Sequence, residues 1–314
     1  MSPTGTILNA IVPVFGIMAL GMIVRRRHWL TEAADRSLMQ VCVNVLLPCL
    51  ILDKSFGNPA LSQANNLLLA PLLGYGLVAL GVGLAWWLRP RGALPTAAAS
   101  RTFAVTVGTH NYSYVPLPLA LLLFDDQTVG VLFLHIIGAE LAMWSVGVMV
   151  FSGGMLRDWR KLLNAPLFAI LLAVVSNALG AAQYVPTVVG TGIHWLGGCA
   201  IPLALLLIGA IMADRLSEFL SRQGGRVMLA AGWLRLGVLP MSFLLAARII
   251  PMTVEHQRVL VLEAAMPCAV FPMVLSKLYP GEPLVAIRTV LSTSLISLVT
   301  TPLWLGIGLK LLTP

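Results

Sequence analysis

Charge is scarce in this chain: 10% of its 314 residues are Asp, Glu, Lys or Arg, against roughly a quarter in soluble domains. Hydrophobic residues make up 58% and the mean hydropathy is +0.91. No soluble core hides that share of apolar surface, so an ordinary soluble domain is excluded. Cysteine is also sparse. The four residues Cys42, Cys49, Cys199 and Cys268 form no CxxC pair, so they suggest neither a disulfide framework nor a cysteine zinc site. They read as small apolar packers. No Lys or Arg precedes the first apolar run, where a signal peptide needs a basic leading region, so Met1-Ser2-Pro3-Thr4-Gly5 opens onto a retained span. There is no Walker-type loop, GxSxG elbow, HExxH motif or pair of intramembrane aspartates. ATP-driven transport and the familiar intramembrane hydrolases are set aside with them, and the chain reads as no enzyme.

Present instead are about ten apolar stretches, at about 7–25, 36–53, 66–88, 102–124, 128–151, 165–183, 187–212, 227–250, 257–278 and 284–310. Each is near the roughly 20 residues a helix needs to cross a bilayer, where only a closed helix satisfies its own backbone. The net charge of +8 would suit nucleic acid, but its placement argues against that partner. Arg25, Arg26, Arg27 and Arg36 follow the first span, and Arg89, Arg91 and Arg101 the third. Arg157, Arg160 and Lys161 follow the fifth, Arg215, Arg222 and Arg226 the seventh, and Lys277 and Arg288 flank the loop after the ninth. Basic residues in alternate loops are the positive-inside pattern, which puts both termini outside and leaves the charge to topology and lipid headgroups. Asp125 and Asp126 occupy the opposite set of loops, and Trp29, Trp86, Trp87 and Trp159 stand at span ends as interfacial anchors.

Prolines recur at a spacing of nearly half the chain: Pro13 with Pro166, Pro48 with Pro202, and Pro116 with Pro272. Five spans in each half make the halves inverted relative to each other, a common transporter plan. The expected fold is therefore an all-α membrane protein of two inverted five-helix repeats, 1–155 and 156–314, with helices four and nine broken. The fourth span carries Thr109-His110-Asn111-Tyr112-Ser113-Tyr114-Val115-Pro116, and the ninth Glu263-Ala264-Ala265-Met266-Pro267-Cys268-Ala269-Val270-Phe271-Pro272. Breaks of this kind free backbone groups that need partners in protein or a wet cavity. If the two breaks cross at mid-membrane, the N-terminal ends of their second halves converge on one place and suit an anion. The alternative is that the prolines only kink two ordinary spans.

Ionisable groups at bilayer depth face a cavity or a partner. Glu263, one turn before Pro267, is a candidate for holding Na+ or H+ with Thr109; the competing role is structural pairing with Arg235 or Arg258. His110 is either a switch beside the crossing or a hydrogen-bond donor to a neighbouring helix. His135 and Glu140, five residues apart on the fifth span, read as packing or pairing groups. Arg235 reads as a structural partner of a carboxylate ahead of an attractor of anions. Gly81-Val82-Gly83 and Gly190-Thr191-Gly192 read as close helix-packing positions.

At Asn44 to Pro48, Asn111 to Pro116, Asn164-Ala165-Pro166 and Met266-Pro267 through Pro272 the chain resembles the auxin efflux carrier family, and more distantly it is similar to the bile acid:sodium symporters. The resemblance covers the whole length. It implies a scaffold of spans one, two, six and seven that forms a homodimer, and a mobile bundle of spans three to five and eight to ten working as an elevator. It implies a small organic anion, carboxylate in type, at the crossing, with Asn111 matching the family's crossover asparagine and Pro116 and Pro272 its helix-breaking prolines. His110 and Tyr112 flank the asparagine and point to a distinct ligand shape, and the residues around the breaks, Ser113, Met266, Pro267 and Cys268, complete the expected substrate site. The expected setting is a bacterial inner membrane. Alternatives are a sodium-coupled carrier of the bile-acid type, or a channel or sensor on the same fold. The short link at about 152–164 departs from the long central loop of the plant auxin carriers.

Overall fold

The computed structural model describes residues 3–153, 163–220 and 224–312. Arg157, Trp159, Arg160, Lys161 and Arg222, which the charge pattern drew on, lie outside the described residues. The chain folds into helices because long apolar runs in hydrocarbon must close every backbone hydrogen bond within one segment.

The first span is α1 (Pro3–Arg26), and the second joins α2 (Glu32–Val41) to α3 (Leu47–Ser55) through a π-helical turn at Cys42–Leu46. The third is α4 (Ala64–Leu88), and the fourth is split into α5 (Ala97–Gly108) and α6 (Pro116–Leu123). The fifth runs from α7 (Asp126–Ala142) through a π turn at Met143–Gly147 into α8 (Val148–Ser152). The sixth is α9 (Ala165–Ala178), and the seventh is α10 (Thr187–Leu220). The eighth joins α11 (Gly225–Trp233) to α12 (Leu239–Ile249) through a third π turn, Leu234–Val238. The ninth is split into α13 (Val254–Ala264) and α14 (Phe271–Leu278), and the tenth is α15 (Pro283–Leu312). Seven of these spans are long and apolar enough to cross a membrane as single helices; the two split spans and α9 make up the rest. The expected two sets of five, with breaks in the fourth and ninth, is the architecture found.

The proline pairs are not all equivalent. Pro116 and Pro272 both stand in the first turn of a half-helix, where a missing N–H costs little. Pro13, by contrast, lies inside α1 whereas Pro166 starts α9, and Pro202 lies inside α10 whereas Pro48 follows a π turn. Pro48 and Pro240 each stand second in the helix that follows a π turn, whose extra residue relieves the clash between a proline ring and the preceding turn. The sixth span ends at Ala178, short of the expected 183, and its 14 residues span about 21 Å.

The first span packs along α10, which also holds α3, and α3 packs on α9. Among the other six spans, α4 lies between α5 and α7, α13 packs on α7, α12 and α15, and α15 contacts α5 and α11. Small residues set the closest approaches. A Cβ on Gly138 of α7 would lie 1.8 Å from the Pro71 carbonyl oxygen of α4, and one on Gly74 of α4 would lie 2.1 Å from that of His135. Gly81 and Gly108 meet in the same way at the end of α5. Gly83, Gly190 and Gly192 have open space where a Cβ would stand, so the helix-packing expectation fails at those three. Arg25, expected to serve topology, is instead a buried tie: it pairs with Asp35 of α2 and, at 3.1 Å, with Asp214 of α10.

Candidate functional site

The two breaks cross and pair with each other. Thr109, extended after the end of α5, accepts from the Ala269 amide at 2.9 Å, and the Asn111 amide donates to the Pro267 carbonyl at 2.8 Å. His110 and Cys268 thereby form an antiparallel bridge. The tenth span supplies further partners: the Thr293 hydroxyl accepts from the Cys268 amide at 3.3 Å, and the Thr301 hydroxyl donates to the Ala265 carbonyl at 2.9 Å. The backbone groups freed by the breaks are thus largely satisfied by protein.

Against one side of the crossing lies a cavity of about 270 Å³. Val43, Leu47 and Ile51 of the second span and Pro166, Leu167 and Ile170 of the sixth form one wall; Phe133, Ile136, Ile137, Glu140 and Trp144 of the fifth form another. The crossing contributes Asn111, Tyr112, Ser113 and Tyr114 from one break and Ala269, Val270 and Phe271 from the other. Of the residues expected to touch the ligand, Asn111, Tyr112 and Ser113 line this space. His110, Pro116, Met266, Pro267, Cys268 and Pro272 do not, because extended and helix-starting backbone turns them into the surrounding bundle. Among the described residues no Lys or Arg lines it, and Glu140 is its single carboxylate. Glu140 accepts from the Trp144 indole at 3.1 Å and the Tyr112 hydroxyl at 3.4 Å, so it is paired, one of the two roles expected of it, and it also stands in the cavity wall.

The first turns of α6 and α14 offer few amide donors. Pro116, Pro118 and Pro272 have none, Leu117 donates to the Ser113 carbonyl and Met273 to that of Val270. What remains is the positive end of each helix dipole and the Asn111 side chain, which can donate and accept at once.

Behind the crossing sits a second polar group. His110, His135 and Glu263 are fully buried, and their ligating atoms all lie within 4.8 Å of one another. Tyr112 stands between this cluster and the cavity, its ring edge-on to His110 with centroids 5.9 Å apart and its hydroxyl on Glu140. Among the described residues neither expected partner hydrogen-bonds Glu263, although the Arg235 charge acts on it through space. Arg258 is bound to Asp125 at 2.6 Å, and Arg235, also fully buried, makes no hydrogen bond and lies over the Phe243 ring at 5.1 Å. Thr109, expected to share an ion with Glu263, turns its hydroxyl to the Met143 sulfur at 3.4 Å.

Both halves of the chain match one sequence family, described as "Membrane transport protein", over residues 6–158 and 155–305. The chain belongs to this family, that of the auxin efflux carriers. Within it, the chain is 28% identical to an uncharacterized transporter of Methanothermobacter thermautotrophicus over 97% of its own length and 98% of that protein's. It is 21% identical to an uncharacterized transporter of Methanocaldococcus jannaschii over 95% of its own length and 97% of the other's. The protein is an integral membrane transporter built on the family's two-repeat plan.

Two features escaped the sequence reading. The hydroxyl ladder of the tenth span recurs every fourth residue, Thr289, Thr293, Ser297 and Thr301, a face signal that was available. The meeting of His135 with His110 and Glu263 joins three different spans, and no local spacing announces that.

Proposed function

We propose that this transporter is a secondary carrier of a small organic monoanion, moved by alternating access. The observation that carries this reading is the cavity seated on the paired breaks, with Asn111 in its wall and the starts of α6 and α14 beside it. Asn111 hydrogen-bonds the carboxylate of the guest, the two helix dipoles favour its charge, and the aromatic and branched walls take an apolar body. Glu140 argues for a single negative charge: a second carboxylate would face it with no basic side chain to compensate.

The second and sixth spans face the crossing across the cavity. We assign spans one, two, six and seven to a scaffold that dimerises with a second copy. Spans three to five and eight to ten form the bundle that slides along it in the manner of an elevator, in a bacterial inner membrane with both termini outside. A Na+ or H+ gradient acting through Glu263 supplies the driving force.

The test is counterflow in liposomes loaded with unlabelled mono- or dicarboxylates. Saturable exchange of a labelled monocarboxylate, lost in Asn111→Ala and altered by Na+ or pH gradients, is expected. Linear, unsaturable flux would make the protein a pore, and exchange indifferent to Asn111 would remove the site.

A further inference from the structure

We propose that His110, His135 and Glu263 form a binding site for a divalent transition metal of the zinc class, distinct from the substrate cavity. This goes beyond the carrier reading and does not rest on it.

Three independent elements bring the ligands together: His110 from the break in the fourth span, His135 from α7 and Glu263 from the last turn of α13. The reciprocal contacts of Gly74 and Gly138 press α7 against α4 beside His135 and fix its height in the bundle. Both ring nitrogens of each histidine and both oxygens of Glu263 are buried with no hydrogen-bond partner among the described residues. Buried polar groups in native proteins are nearly always partnered, so six such atoms in one place point to a missing occupant.

The contact between His110 and Glu263 shows what kind. Nε2 and Oε2 are 3.5 Å apart, close enough for charge attraction, yet the pair makes no hydrogen bond. Two ligands on one tetrahedral zinc, each about 2.0–2.1 Å from the ion, stand about 3.3 Å apart. The spacing is that of two groups sharing a third.

Two imidazole nitrogens and one carboxylate oxygen also select the ion. Na+, Ca2+ and Mg2+ take oxygen ligands, whereas imidazole suits zinc, cobalt and nickel. Three protein ligands leave a fourth position open. Arg235 opposes a cation here, since it shares the Phe243 ring with His110, each about 5.1 Å from it. An anionic fourth ligand, hydroxide or chloride, offsets that repulsion and gives the unpartnered guanidinium an acceptor. Metal in this position ties the fourth, fifth and ninth spans together and occupies the carboxylate assigned to the coupling ion.

The experiment uses chelator-treated, purified full-length protein titrated with Co2+ and Zn2+. Expected are the intense visible absorption of tetrahedral Co2+, its displacement by Zn2+, and a rise in melting temperature with both ions but not with Mg2+ or Ca2+. His135→Gln and Glu263→Gln each weaken Co2+ binding by more than about tenfold. His194→Ala, which removes the exposed histidine paired with Asp53 at 3.1 Å, leaves it unchanged. Six-coordinate Co2+ spectra in wild-type protein, or full binding in His135→Gln, would overturn the site. A carboxylate thermal shift read on the same metal-free sample separates this outcome from failure of the carrier reading.

Discussion

The Asn111 amide donates to the Pro267 carbonyl across 2.8 Å, so each broken helix is completed by the other and neither break stands alone. The remaining loose ends rest on the tenth span, where the Thr301 hydroxyl serves the Ala265 carbonyl. Thr301→Val keeps the shape and removes the donor. It should cost about 1–2 kcal/mol, read as a lower melting temperature in detergent. An unchanged melting curve would show that the carbonyl has another partner.

Asn111→Ala removes the cavity's one carboxamide donor on the crossing while leaving the backbone bond to Pro267 in place. Loss of a hydrogen bond to a charged group, about 1.5–3 kcal/mol, corresponds to roughly a 10- to 150-fold weaker Kd for a carboxylate. Calorimetric titration gives the number directly.

Glu140→Gln removes the negative charge of the cavity wall and retains an acceptor for Tyr112 and Trp144. Selectivity should shift toward dicarboxylates, measured as the ratio of dicarboxylate to monocarboxylate counterflow. A constant ratio would mean that Glu140 does not face the second charge.

Gly138→Ala places a methyl 1.8 Å from the Pro71 carbonyl oxygen. Backbone cannot yield cheaply there, so a loss of about 1–3 kcal/mol is expected. Gly76→Ala in α4, with nothing within 4 Å, is the control and should be neutral or slightly stabilising.

Asp125 caps α7 by accepting from the Thr128 amide at 2.9 Å and hydroxyl at 2.8 Å, and it is bound by Arg258. Desolvation raises its pKa, but these hydrogen bonds outweigh it and hold the carboxyl below its ordinary value. Its contribution is therefore present above the unfolded pKa of about 4 and is lost as pH falls through the lower folded value. Asp125→Asn should lower the melting temperature at neutral pH, with the difference closing in acid. A pH-independent difference would assign the effect to something other than charge.

Most of the fold was legible because a bilayer permits little else: apolar length gave the spans, and Pro116 and Pro272 marked both breaks. The crossing was legible for the same reason. Contacts made across distant spans were not. Glu140 was read as a packing or pairing group, but that its partners would be Tyr112 and Trp144 in a cavity wall could not be read from its own span, and Arg235 was read as hydrogen-bonded to a carboxylate because burial without an acceptor is uncommon. The N-terminal ends of the two half-helices were expected to turn free amides toward an anion, yet the prolines that start them remove some of those amides.

Tyr112 gives the two polar regions a shared wall. Its ring stands edge-on to His110 and its hydroxyl meets Glu140, so a guest that displaces the phenol would also disturb the imidazole behind it. If both proposed sites fill, Tyr112 is the side chain that touches each of them.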